Sequence, residues 1–177
     1  MAVFLLLPNV ALAHERRTIA NGKYDVVVGW DVEPAYVGQK NAAGIRISQA
    51  GTNPAVPVQG AEKTLKVQIR QGAATKEFPL RAVFGQNGYY VADILPTRAG
   101  DHVWTFVGSI NGDAISEVFD TADGKFDAVQ PITAIEFPAA SQDADVQAAR
   151  NLAYVGIALG LVGMVSAAAA WRRRSAR

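Results

Sequence analysis

Cysteine is absent from the 177 residues. That excludes disulfides, thiolate zinc sites and thiol nucleophiles together. Methionine occurs only at Met1 and Met164, so the middle of the chain offers no thioether to copper(I). Neither sign of charge is in excess: 17 Lys and Arg stand against 16 Asp and Glu, and no basic stripe points to nucleic acid. Enzyme motifs are missing as well. There is no P-loop, no Gly-x-Gly-x-x-Gly after a strand, no Gly-x-Ser-x-Gly elbow and no His-Glu-x-x-His. Serine catalysis would have to use His102, and no serine stands in a nucleophile turn. Asp31, Glu33, Asp93 and Asp101 fall near strand ends without a spacing that defines an acid–base pair, so the chain reads as a non-enzyme with no catalytic residues.

What is present begins at the ends. Val3 to Leu7 form a short apolar run, and Ala11-Leu12-Ala13-His14 carries the small-x-small pattern that a signal peptidase cuts. Residues 1–13 are therefore expected to be a signal peptide, leaving His14 as the first residue of the mature chain. At the other end, Ala153 to Trp171 is almost wholly apolar and carries no charge. At about 1.5 Å per residue it spans roughly 28 Å, close to the hydrocarbon thickness of a bilayer. Arg172-Arg173-Arg174 follows at once and marks residues 172–177 as a cytoplasmic basic tail. The topology expected is a single-pass protein of the cell inner membrane, with its domain on the periplasmic or extracellular side. Gly156 and Gly160 form a Gly-x-x-x-Gly pair within the span, a spacing that allows a homodimer or a membrane-protein partner to approach closely.

Residues 14–131 are expected to form the external domain, and 132–152 a linker and juxtamembrane helix. Period-2 alternation runs through the domain. Tyr24, Val26, Val28 and Trp30 share one strand face; Ile45 and Ile47 alternate with Arg46 and Ser48; Leu65, Val67 and Ile69 alternate with Lys66, Gln68 and Arg70. Phe78, Leu80 and Phe84 point one way, and Tyr89 to Ile94 form a further strand. Val103 to Ile110 and Ala114 to Phe119 flank Asn111-Gly112, which suits a type I′ hairpin turn. No helical period of useful length occurs before residue 140. The expectation is an all-β protein: an immunoglobulin-like antiparallel β-sandwich of about seven strands, plus one C-terminal transmembrane helix. A small barrel is the alternative architecture. After Phe119 the pattern dissolves, which reads as the exit from the sandwich.

Metal binding is the chemistry left. An N-terminal histidine offers its α-amine and imidazole Nδ1 as a chelate for copper(II), which favours nitrogen donors in a tetragonal arrangement. His14 is the expected first ligand, and His102 and Asp101 are the candidates to complete the site, with Glu15 as another oxygen. Both nitrogens must lose protons, so binding would weaken as pH falls. His102 shares strand parity with Trp104 and Phe106, which points it toward the core. The segment Glu33 to Gly38 offers instead an exposed loop patch for a protein partner.

The exported start at His14, the seven-stranded pattern and the strand Ala99-Gly100-Asp101-His102-Val103-Trp104 resemble the CopC/YtkA-like group of periplasmic copper-resistance domains over roughly residues 14–119. The resemblance implies copper(II) carriage in the periplasm with the mature N-terminal histidine as first ligand. It also implies a later Asp-x-His segment, and the corresponding Glu117-Val118-Phe119-Asp120 has no histidine. The competing expectation is a metal-free interaction module, an accessory subunit docked to a larger membrane complex.

Overall fold

The alternating segments pair into two antiparallel sheets in a computed structural model that describes residues 14–138 and 148–157. The five-stranded sheet runs β1-β2-β3-β7-β6, from β1 (Glu15–Ile19), β2 (Tyr24–Trp30), β3 (Asn41–Gln49), β7 (Tyr89–Ile94) and the short β6 (Arg81–Ala82). The four-stranded sheet runs β5-β4-β8-β9, from β5 (Ala74–Pro79), β4 (Leu65–Gln71), β8 (Val103–Ile110) and β9 (Asp113–Asp120). Their inner faces share one core. Val26, Val28 and Trp30, with Ala43, Ile45 and Ile47, pack in the same cluster as Leu65, Val67, Trp104, Phe106 and Phe119. The arrangement is β-sandwich-like, as period-2 patterning with one buried face requires.

Turn chemistry explains the register of the last hairpin. Asn111 and Gly112 take φ of 49° and 89°, the left-handed pair a type I′ turn needs, and Ile110 pairs with Asp113 across it.

Four features depart from the sequence reading. Among the described residues there are nine strands rather than about seven. The extra edge strand β1 has no apolar alternation because its inward positions are Glu15 and Arg17. Glu15 is buried; its Oε1 accepts from the Arg17 guanidinium and from Lys125 Nζ. Arg17 in turn lies 4.2 Å above the Phe119 ring and pairs with Glu117, so a charged knot joins β1 to the β9 edge. Phe84 does not share a face with Leu80: Leu80 is buried and Phe84 is fully exposed in the turn before β7. The segment after Phe119 is no exit. Phe126 and Val129 return to the core, and Gly100 and Val129 exchange backbone hydrogen bonds. Lastly, Ala35 is buried and Tyr36 half-buried, because Gln130 N donates to Ala35 O and Val37 N donates to Gln130 O. The expected loop patch is therefore pinned down.

The chain divides into two compact units, Met1–Ala134 and Ile135–Arg177. In the second, residues 148–157 form a helix, α1, with exposed apolar side chains including Leu152, Val155 and Ile157. No helix among the described residues is long and apolar enough to cross a membrane. The expected leader, residues 1–13, lies outside the described residues, as do 158–177, with Gly160, most of the expected span and the arginine tail.

Candidate functional site

Two clefts in the first unit each hold one of the two histidines. The first lies on the outer face of the five-stranded sheet. Gly29 and Gly44 stand directly opposite each other in the β2–β3 register, so neither contributes a side chain to that face. His14, Arg16, Asp31 and Arg46 line a cleft of about 380 Å³ there, with the Tyr89 ring lying over Gly44. The side chains are held in place. Tyr89 donates its hydroxyl to Asp31 Oδ1 at 2.9 Å; Arg46 lies 4.6 Å above the Tyr89 ring and donates to Gln86 Oε1 at 2.8 Å. Burial, then the hydrogen bond to Asp31, pushes the Tyr89 phenol well above its ordinary range, so it stays a donor. Asp31 is the one acid among the described lining residues, facing Arg16, Arg46 and His14. Such a cleft favours a negative group over a positive one.

The second cleft lies between β5 and the 94–97 segment, with a volume of about 340 Å³ and a mainly apolar lining that includes Ile69, Phe78, Ile94 and His102. His102 itself is 4% exposed and packs edge-on against Trp30 with ring centroids 5.9 Å apart. Trp30 meets Trp104 at 4.7 Å, and Trp104 meets Phe126 at 4.9 Å, so an aromatic row runs from this cleft into the core. His102 Nδ1 lies 3.0 Å from Gly100 O. A carbonyl only accepts, so Nδ1 carries the proton and Nε2 keeps its lone pair. Burial lowers the His102 pKa below its ordinary 6.5, with the Gly100 bond and Asp101 acting the other way.

The three expected metal ligands are not brought together. His14 is exposed and sits with the outward-facing residues of the five-stranded sheet, whereas His102 packs on Trp30 at the inner face of that sheet. Asp101 Oδ1 accepts from Thr121 Oγ1 at 3.1 Å, in a knot where Thr121 Oγ1 also receives the His102 amide. Glu15 faces inward, into the charged knot with Arg17 and Lys125. Among the described residues no group of three or more His, Asp or Glu side chains is placed to hold a metal ion. Asp31 and Tyr89 escaped the sequence reading as partners because 58 residues separate them. The sole local signal was Gly29 and Gly44, two glycines interrupting strong strands. Compared with known proteins, the chain matches no family model, no curated protein and no solved structure.

Proposed function

We propose that this chain is a membrane-anchored, extracytoplasmic immunoglobulin-like sandwich that acts as a binding module and takes an anionic group of its partner into the cleft over Gly29 and Gly44. The observation that supports this reading is the convergence of Arg16, Arg46 and His14 on one cleft whose single described acid, Asp31, is already hydrogen-bonded by Tyr89. Arg46 is pre-ordered by the Tyr89 ring and Gln86, so less freedom is lost when an anion binds. The immunoglobulin-like assignment rests on strand order: β2, β3 and β7 in one sheet with β5, β4, β8 and β9 in the other matches strands A, B, E and C′, C, F, G of that fold. Export and anchoring rest on the Ala11-Leu12-Ala13 pattern, the apolar run 153–171 and the arginines after it. Titration of the full chain in lipid nanodiscs with acetate and with phosphate, followed by the side-chain resonances of Arg46 and Tyr89, tests the module. Saturable shifts that vanish in Arg46→Glu support it. Shifts that merely track ionic strength end it.

A second reading keeps copper(II), on one observation: exposed His14 shares its cleft with Asp31. Processing behind Ala13 would free an α-amine beside the imidazole, and Asp31 would take the oxygen role expected of Asp101. The resemblance to CopC/YtkA-like domains favours the same ion. Arg16 and Arg46 oppose a dication there, which is why this reading stands second. Copper titration of the chain processed to begin at His14, with elemental analysis, decides it. Stoichiometric binding lost in His14→Ala but kept in His102→Gln supports copper, and binding indifferent to His14→Ala removes it.

A further inference from the structure

His102 belongs to neither reading above, yet its ring is held in a way that packing alone does not need. Its Nδ1 proton is committed to Gly100 O, and its ring meets Trp30 in a T-shaped contact. The one ring-nitrogen hydrogen bond of His102 is made by Nδ1; among the described residues Nε2 has no partner, and the residue as a whole is buried. His102 contributes to the wall of the second cleft, together with Phe78 of β5 and Ile94 of β7. Gln71 Nε2 donates to Arg98 O and Ala99 O, which holds the loop leading to His102 in place. The cleft is thus an apolar recess that already exists and contains one oriented acceptor, the arrangement small-molecule sites share.

The chemistry of the lining narrows the occupant. A metal ion needs further ligands, and the described residues supply no cluster of them. A cation is opposed by Lys76, whose Nζ lies 5.0 Å from the Phe78 ring centroid at the same cleft. An anion would find at Nε2 a lone pair rather than a proton, and would leave water for apolar walls. What remains is a neutral molecule with one donor. We propose that this cleft binds a small, mainly apolar alcohol or phenol, which packs on Ile69 and Phe78 and donates its hydroxyl to His102 Nε2. The volume of about 340 Å³ lies at the small end of the range for such sites, with room for one or two rings or a short chain.

Phenol and toluene are the probes, since they differ mainly in the hydroxyl. The full chain, labelled with ¹⁵N-histidine and held in nanodiscs, is equilibrated with each at free concentrations set by dialysis. Phenol should shift the His102 Nε2 resonance saturably and leave His14 unmoved, and toluene should bind roughly fivefold more weakly for want of one hydrogen bond. His102→Phe should equalise the two probes, and Leu95→Trp, which adds bulk at the exposed rim of the cleft, should abolish both responses. Equal affinity of the two probes for the parent chain overturns the acceptor role. A response that never saturates, or one unchanged in Leu95→Trp, overturns the site.

Discussion

The hydroxyl of Tyr89 stands 2.5 Å from the point where a Cβ on Gly44 would project, and Tyr89 Cε2 stands 3.1 Å from it. The tyrosine ring therefore occupies the space that the missing side chain leaves, one strand over from its own backbone in β7. Gly44 is what lets Tyr89 reach Asp31 across the sheet.

Gly44→Ala should displace that ring and break its bond to Asp31, at a cost of roughly 1–3 kcal/mol. Gly108→Ala should cost more. There a Cβ would lie 2.0 Å from the backbone oxygen of Thr64, and φ is +134°, so the backbone itself would have to move. Denaturant unfolding of both variants checks the order. No loss in Gly44→Ala would mean that Tyr89 is not fixed over Gly44, and a loss equal to that of Gly108→Ala would mean that the ring cannot swing aside.

Glu15 is 3% exposed and joins Arg17 and Lys125 in the knot that closes the β1–β9 side. Its Oε2 has no partner, so Glu15 joins the knot through Oε1 alone. Glu15→Ala should destabilise the domain by about 1–3 kcal/mol, because it leaves two cations without their shared acceptor. Hydrogen exchange should rise first along β1. Faster exchange spread evenly over both sheets would count against a local clasp.

Phe126 lies beyond the last strand yet is 1% exposed against Trp104. Phe126→Ala should cost about 3–5 kcal/mol, as removal of any buried aromatic does. Trp104→Phe should cost less, since the indole Nε1 it removes is buried without a hydrogen-bond partner. Thermal unfolding followed by near-ultraviolet circular dichroism ranks the two, and the reverse order would refute this account of the core.

Two groups shape the acid limb of stability. His102 has a folded-state pKa depressed below 6.5 by burial, so the unfolded chain binds its proton more readily. Stability should be fully present above pH 6.5 and decline as pH falls below it; His102→Gln should flatten that slope. Asp93 is held down from 3.8 to about 2 by the hydrogen bond from Arg81, with Lys40 helping. Its contribution should persist above 3.8 and be lost as pH falls toward 2, a step that Asp93→Asn should remove. Unfolding free energies measured across this range in parent and variants decide both.

The strands that period-2 alternation marks, such as Leu65–Gln71 and Val103–Ile110, stand where the pattern placed them, because one buried face requires it. The pattern failed where charge replaced apolar residues at inward positions, as at Glu15 and Arg17, since an ion pair satisfied in the fold looks like a solvated segment in the chain. It failed again at Phe126, where burial comes from a loop that folds back, without any period to announce it. Parity placed His102 beside Trp104 on the core face, and there it lies.

Residue types and their local order were enough, then, to state an antiparallel two-sheet architecture and to isolate His14 and His102 as the imidazoles that any metal chemistry must use. Tertiary structure alone decided that these two face different clefts, that Asp101 is engaged by Thr121, and that Arg46, Tyr89 and Asp31 meet over a pair of glycines. The reason is one of distance along the chain. Alternation is set by neighbours within a strand, whereas a site is set by which strands pair and which face each residue turns outward, and that requires the whole sheet to be formed.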